Sequence, residues 1–239
     1  MEEFVVGSFN LHNHYWQKGW DGGNYPNILA NFIKKYNIKF LGVQELVRPY
    51  TYKLQKNLGK NYTIIGGYRY GNIKLLKQFN ESNAIITNEN INSSKTKFLA
   101  TVPILDHGTQ MPRILTSVET DNFFMINTHL EYWNKMSQVH QLKKLYKYIL
   151  QNRDKNPVIT GDFNVDTSKS YFIDFISSLK ENGISMVPIE TPTYKTKKQI
   201  LDYIFVPDEY DIIDYKVGAA EDVEKISDHS PVLVKLKKR

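Results

Sequence analysis

Nine short runs of apolar, β-branched and aromatic residues dominate this chain and restrict it to folds built on sheets. They are Phe4–Phe9, Ile38–Val43, Tyr62–Ile65, Asn83–Thr87, Ile114–Glu119, Phe123–Asn127, Pro157–Thr160, Ile200–Val206 and Val232–Leu236. Helical periodicity occurs between some of them. Ile28, Leu29, Phe32, Ile33 and Tyr36 make one apolar face, with Pro26 suited to its first turn. Leu142, Leu145, Tyr146, Ile149 and Leu150 make a second. Phe172, Phe175, Ile176 and Leu179 make a third, with Gly183 placed to end it. Many strands with a few interspersed helices predict a layered α/β protein with mixed sheets. No repeat, heptad or Pro/Gly/Ser linker divides the chain, so residues 1–239 are expected to form one domain.

With 41% hydrophobic and 13% aromatic residues, such a chain fills a sizeable core without staples. It has no cysteine, which excludes disulfides and thiolate-bound zinc. The start, Met-Glu-Glu-Phe-Val-Val, lacks a basic and then apolar leader, and no apolar stretch is long enough to span a bilayer. A soluble, cytoplasmic monomer is expected, or a secreted one if a leader has been trimmed. Lys and Arg exceed Asp and Glu by 31 to 25, a net +6 that suits a polyanionic partner such as nucleic acid or an anionic membrane surface. The bland reading stands beside it, because Lys195, Lys197, Lys198, Lys235, Lys237 and Lys238 fall in a loop and at the terminus.

Polar groups recur where the apolar runs stop. Val158-Ile-Thr-Gly-Asp-Phe-Asn164 ends in an acid and an amide two residues apart, which point the same way in extended chain. The run at Phe4 ends in Asn10, that at Ile38 in Gln44-Glu45, and that at Phe123 in Asn127-Thr128-His129. Asp202 interrupts an apolar run, where an unpaired charge would be costly, and Ser227-Asp228-His229 precedes the last strand. Singly, each has a structural explanation: Gly-Asp-Phe-Asn suits a turn, Glu45 a loop cap, and His129 a hydrogen-bonded core position. Jointly, strand ends along one sheet edge form a cleft. Carboxylates crowded there require a cation, and all-oxygen ligands favour Mg²⁺ or Mn²⁺. Carboxylates, amides and histidines around such an ion suit phosphate ester hydrolysis.

These motifs resemble the endonuclease/exonuclease/phosphatase superfamily, which includes deoxyribonuclease I, abasic-site endonucleases and several phospholipid-cleaving enzymes. The match runs in order through Phe9-Asn10, Val43-Gln44-Glu45, Glu81-Ser-Asn-Ala-Ile85, Arg113, Asn127-Thr-His-Leu130, Gly161-Asp-Phe-Asn164, Leu201-Asp-Tyr203 and Ser227-Asp-His-Ser-Pro231. The resemblance implies a four-layer α/β/β/α sandwich with two mixed sheets and the site at one end of both. It implies Glu45 as principal metal ligand, Asn10 beside it on metal or phosphate, and Asp228 completing the metal or water network. Asp162 would position or deprotonate water, and Asn164 would hold phosphoryl oxygens. His229, oriented by Asp202, would bind phosphate and move protons. His129 would be the second catalytic histidine, with Glu81 as its orienting acid, and Arg113 would grip a phosphate.

The segment Asn127-Thr-His-Leu130 resembles the deoxyribonuclease I, deadenylase and sphingomyelinase-like branch. The abasic-site branch carries a tyrosine/proline/asparagine motif that is not seen here. A Mg²⁺-dependent nuclease is the first expectation, with Trp16, Trp20, Tyr68, Tyr70, Tyr132 and Trp133 as stacking or packing aromatics. A phospholipid or phosphoinositide hydrolase is the alternative; the apolar candidates for membrane contact are Tyr15–Trp20 and Phe98–Leu105. A catalytically dead binding scaffold would have lost a site residue, whereas every expected position is filled. His12 and His14 match no family position and read as loop residues.

Overall fold

The computed structural model describes residues 2–12, 22–71, 80–101 and 111–239. His14, Tyr15, Trp16, Trp20 and the distal part of the Phe98–Leu105 segment lie outside them. Among the described residues two six-stranded sheets form. The first has strand order β11-β12-β1-β2-β4-β3, from β1 (Glu3–Asn10), β2 (Ile38–Val47), β3 (Thr63–Ile65), β4 (Glu81–Thr87), β11 (Tyr210–Val217) and β12 (Val232–Lys238). The second has order β5-β6-β7-β8-β10-β9, from β5 (Ser93–Ala100), β6 (Arg113–Glu119), β7 (Phe124–His129), β8 (Val158–Asp162), β9 (Ile184–Met186) and β10 (Asp202–Pro207). Helices α1 (Tyr25–Lys35) and α2 (Arg48–Leu58) accompany the first sheet; α3 (Lys135–Leu150) and α4 (Ser170–Glu181) accompany the second. A short α5 (Glu221–Glu224) precedes β12.

Period-two alternation sends neighbouring residues into different cores. Phe40 faces the core between the sheets while Leu41 packs under α1 and α2. Val158 and Ile204 also enter the inter-sheet core, while Ile159 and Phe205 pack under α3 and α4. Three buried clusters therefore separate four layers, the α/β/β/α sandwich expected. The expected helices at Pro26, Leu142 and Phe172 all form, and Gly183 takes the positive φ of a helix end.

Three larger elements, β5, β11 and α2, and the short β9 and α5 carry no clear sequence signal. β5 reads Ser-Ser-Lys-Thr-Lys-Phe-Leu-Ala and lies at a sheet edge with most of its side chains exposed, so it lacks apolar alternation. β11 is likewise an outer strand, held by its ladder to β12. β9 has three residues. α2 buries only Tyr50, Leu54 and Leu58, a stripe too narrow to stand out among its basic and polar residues.

Each sheet has one parallel pair at its centre, β1–β2 and β7–β8. This orientation carries the C-terminal ends of four strands to one end of the sandwich. The antiparallel neighbours β4, β6 and β10 begin at that same end.

Candidate active site

Strand register assembles the site. Asp162, the last residue of β8, is directly opposite His129 of β7 on one side and Asp202 of β10 on the other. In the first sheet Asn10 ends β1 opposite Gln44, and the next residue is Glu45. A β-bulge interrupts the β2–β4 ladder between Val43 and Leu46, and Glu45 within it has φ +60°. That left-handed conformation is strained for a side chain bearing Cβ, and bulges re-aim side chains at functional sites. Asn164 also takes a positive φ, 52°, which Asn tolerates.

Between the sheets, directly below these ends, lies a buried polar clamp. Asn127 Nδ2 of β7 donates to the carbonyls of Val43 (3.0 Å) and Ala84 (2.9 Å) in the other sheet. Its Oδ1 accepts from Gln44 Nε2 (2.7 Å) and Thr160 Oγ1 (3.1 Å). Two residues of the recognised motifs, Gln44 and Asn127, thus fasten one sheet to the other.

Asn10 Nδ2 donates to Glu45 Oε1 at 3.1 Å and to Asp162 Oδ2 at 2.9 Å, so one amide holds two carboxylates together. Asp162 Oδ1 accepts from the backbone N–H of Asn164 at 2.9 Å. Asp162 Oδ2 also lies 3.7 Å from His129 Nε2 and 3.8 Å from His229 Nε2. The far side of His229 is fixed, since Nδ1 sits 2.7 Å from Asp202 Oδ2. Asp202 is itself held by Thr193, whose Oγ1 accepts the backbone N–H of Asp202 at 3.1 Å.

Burial and then the charge of Asp202 push the Asp162 carboxyl up to about 7. Burial disfavours the charged form of His229, but the carboxylates of Asp202, Asp162 and Asp228 outweigh it and hold this imidazole up to about 10. A carboxyl near neutrality facing a histidine that stays protonated forms a complementary acid–base pair.

His129 lies in a different setting. Its Nδ1 is 2.8 Å from Arg69 Nη2, and Arg69 Nη1 is 2.8 Å from Glu81 Oε2. Arg69 therefore stands between Glu81 and His129, the pair proposed from sequence. Burial, then the charges of Arg113 and Arg69, depress His129 well below the usual histidine range. Arg113, at the start of β6, is buried with Nη2 3.6 Å from Glu131 Oε1, while its Nε and Nη1 have no partner among the described residues. Burial and the adjacent Arg69 pull its guanidinium down to about 10.

These groups line one cleft of about 600 Å³. Asn10, Glu45, Glu81, Arg113, His129, Asp162, Asn164, Asp228 and His229 all reach it, and Asp202 stands behind His229. Asn164 Nδ2 donates to the Leu130 carbonyl at 3.0 Å. Asp228 Oδ1 is 2.6 Å from His12 Nδ1; burial raises this carboxyl, but the hydrogen bond and charge of His12 outweigh it and hold it low. His12, set aside from sequence as a loop residue, also donates its backbone N–H to Asn10 Oδ1 at 2.9 Å.

The sequence singles out none of three further residues: Arg69 and Tyr194, which line the cleft, and Glu131, which stands behind Arg113. Arg69 sits in Gly66-Gly67-Tyr68-Arg69-Tyr70, far from His129 in sequence. Glu131 is wholly buried and accepts the backbone N–H groups of Tyr132 and Trp133. Tyr194 lies against His229 in a tilted arrangement, with ring centroids 4.9 Å apart. For Glu131, an acid directly after Asn-Thr-His-Leu was the available hint.

Carboxylates of Glu45 and Asp162 share one amide donor, and Asp228 borders the same cleft. This crowded, all-oxygen set fits a hard divalent ion. Asp162, Asp202 and His229 form a second group whose ligand atoms lie within 4.8 Å of one another. There His229 Nδ1 already contacts Asp202, an arrangement better suited to proton transfer.

The same fold occurs in an endonuclease/exonuclease/phosphatase from Bacteroides vulgatus, with 19% identity, full coverage of both chains and a TM-score of 0.80. A mannosyl-6-phosphatase of Bacteroides thetaiotaomicron has 23% identity over 98% of this chain and 99% of its own, with a TM-score of 0.71. TDP2 of D. rerio, complexed with a single-strand DNA product, has 16% identity over all of both chains and a TM-score of 0.71. No curated protein matches significantly. The model of the endonuclease/exonuclease/phosphatase family matches residues 7–229, and this chain, a hydrolase by that kinship, belongs to the family.

Proposed function

We propose that this protein is a Mg²⁺- or Mn²⁺-dependent phosphodiesterase that hydrolyses nucleic-acid phosphodiester bonds. The observation that carries the reading is the convergence of Asp162 on the His229–Asp202 pair beside Asn10 and Glu45. A divalent ion held by Glu45, with Asn10 and Asp228 beside it, would supply Lewis-acid polarisation of the phosphoryl oxygen. Asp162, with its carboxyl near 7, takes the proton of the attacking water as the new P–O bond forms. His229, kept cationic by Asp202, gives its Nε2 proton to the leaving oxygen as the ester P–O bond breaks. Asn164 and Arg113 are the phosphate contacts in this scheme.

Support for nucleic acid comes from the cleft rim. Lys169 and Lys197 are exposed there beside Tyr132, Tyr171 and Tyr194, with Trp133 next in sequence and 72% exposed. Cations with interleaved aromatics suit a sugar–phosphate backbone and its bases. One observation favours a phosphomonoester instead. Arg69 and Arg113 lie together in the cleft, and two guanidiniums suit a terminal phosphate dianion on a sugar or lipid headgroup. A panel of plasmid DNA, single-stranded DNA, RNA, sphingomyelin, phosphoinositides and a sugar 6-phosphate, assayed with Mg²⁺ and with EDTA, separates these readings. Metal-dependent cutting of nucleic acid, lost in His229→Ala, is the expected result. Release of phosphate from a phosphoinositide or the sugar 6-phosphate with nucleic acid intact would replace it with the second reading, and cleavage of sphingomyelin alone would make the substrate a lipid phosphodiester.

Glu45→Gln keeps the shape and removes the charge expected to hold the ion. The Mg²⁺ concentration for half-maximal activity should rise by about 10-fold or more, as charge-assisted contacts contribute roughly 1.5–3 kcal/mol. Wild-type Tm should rise with Mg²⁺ while that of Glu45→Gln should not.

A further inference from the structure

We propose that Arg69 is a positioning residue that locks His129 as its neutral Nε2–H tautomer, making this histidine a fixed hydrogen-bond donor to a phosphoryl oxygen. The assignment to a phosphoryl oxygen rests on the phosphoesterase reading above; the tautomer does not.

A guanidinium carries five N–H donors and no acceptor. With Arg69 Nη2 at 2.8 Å, His129 Nδ1 must present its lone pair. The ring proton then sits on Nε2, which faces the cleft and Asp162 Oδ2 at 3.7 Å. An imidazolium would set one N–H against another. Arg69 cannot readily turn aside, because it is buried and anchored twice to Glu81: Nη1 to Oε2 at 2.8 Å, and backbone N–H to the carbonyl at 2.9 Å.

The charges around His129 act in the same sense. Arg69, Arg113 and the protonated His229 all oppose a positive charge on this ring, as does its burial, while Asp162 pulls the other way. The two histidines are therefore set apart by what meets Nδ1. Asp202 accepts a hydrogen bond from His229 Nδ1 and favours its charged form; Arg69 donates to His129 Nδ1 and bars a proton from that nitrogen, on a ring that burial and Arg113 already keep neutral. A neutral donor serves as an asparagine amide would, with a strength that does not change across the working pH range.

Full-length protein labelled with ¹⁵N-histidine gives the direct test, through two-bond ¹H–¹⁵N correlation spectra across about pH 5.5 to 8.5, the span in which an ordinary histidine titrates. His129 is expected to show the Nε2–H pattern throughout. Detection of the Nδ1–H tautomer or the imidazolium in the wild type would overturn the proposal. In Arg69→Met, burial and Arg113 still oppose a charged ring, but Nδ1 is freed from the guanidinium and the Nδ1–H tautomer should appear beside Nε2–H. A pure Nε2–H pattern in that variant would reduce Arg69 to a packing role. His129→Asn, which retains a donor, should lose less than about 10-fold in kcat, whereas losing an acid–base group costs about 10²–10⁴-fold. A loss in that larger range would also sink the proposal. If the spectra are as expected but no phosphoester is turned over, the proposed function fails and the tautomer stands.

Discussion

Asp162→Asn is expected to lower hydrolysis by about 10²- to 10⁴-fold, the contribution of a positioned acid–base group, while making the metal-free protein more stable. The two effects share one cause. Asp162 is buried, and burial together with Asp202 raises its carboxyl from 3.8 to about 7. Between those two values the folded chain retains a proton that the unfolded chain has released. Stability therefore falls as pH rises from about 4 toward 7, and the full cost is present above 7. An asparagine carries no such cost. Part of the gain is lost because an amide has one oxygen, whereas the carboxylate accepts from both Asn10 and the Asn164 N–H. The net gain should be on the order of 1–3 kcal/mol above pH 7 in EDTA and should vanish near pH 4. Urea titrations at the two pH values measure it. An active Asp162→Asn enzyme would remove Asp162 from the mechanism; an inactive one with no gain at high pH would mean that the carboxylate is not destabilised by its surroundings.

Much of the fold and the gathering of the site residues was legible because both depend on local pattern. Asp162 and Asn10 end apolar runs, and strand alternation with a shared sheet edge brings such ends together. Asp202 was legible for the opposite reason: a lone charge within Ile200–Val206 needs a partner, and His229 supplies it at 2.7 Å. What stayed hidden depends on long-range pairing. β5 and β11 take their structure from ladders to β6 and β12, and their exposed side chains leave no apolar stripe. Arg69 contacts His129 across 60 residues from a segment with no periodicity. The expectation that a carboxylate orients each histidine therefore found its counterpart at Asp202, whereas at His129 a cation meets the ring. Asn127 and Gln44 show a different gap. Their presence in recognised motifs was plain, but their work as a clamp between sheets needs three dimensions.

That clamp makes Gly42→Ala the substitution expected to cost most stability for least chemical change. Gly42 lies in β2 where the two sheets approach below the site. A methyl group there would press into Thr160 Oγ1 and sit 2.6 Å from Asn127 Oδ1. Neither neighbour has room to yield. Both atoms are buried and bonded to each other, and Asn127 is also tied to the carbonyls of Val43 and Ala84. Relief requires the sheets to separate or the clamp to break, leaving buried polar groups unpaired at about 1–3 kcal/mol each. Overpacking and lost hydrogen bonds together should cost about 2–4 kcal/mol, lowering Tm by roughly 5–15 °C in a chain of this size. Because Asp162 follows Thr160 by two residues and Glu45 follows Gly42 by three, separation would also move the carboxylates apart and reduce activity in protein that remains folded. Gly59→Ala provides the contrast. Its φ of +84° makes alanine strained, but its Cβ would meet nothing within 4 Å. Its ψ of −168° puts it in a region open essentially to glycine alone, so alanine should cost about 1–3 kcal/mol yet leave activity unchanged. Full activity in folded Gly42→Ala, matching that of Gly59→Ala, would show that the sheets admit the methyl group without moving the carboxylates apart.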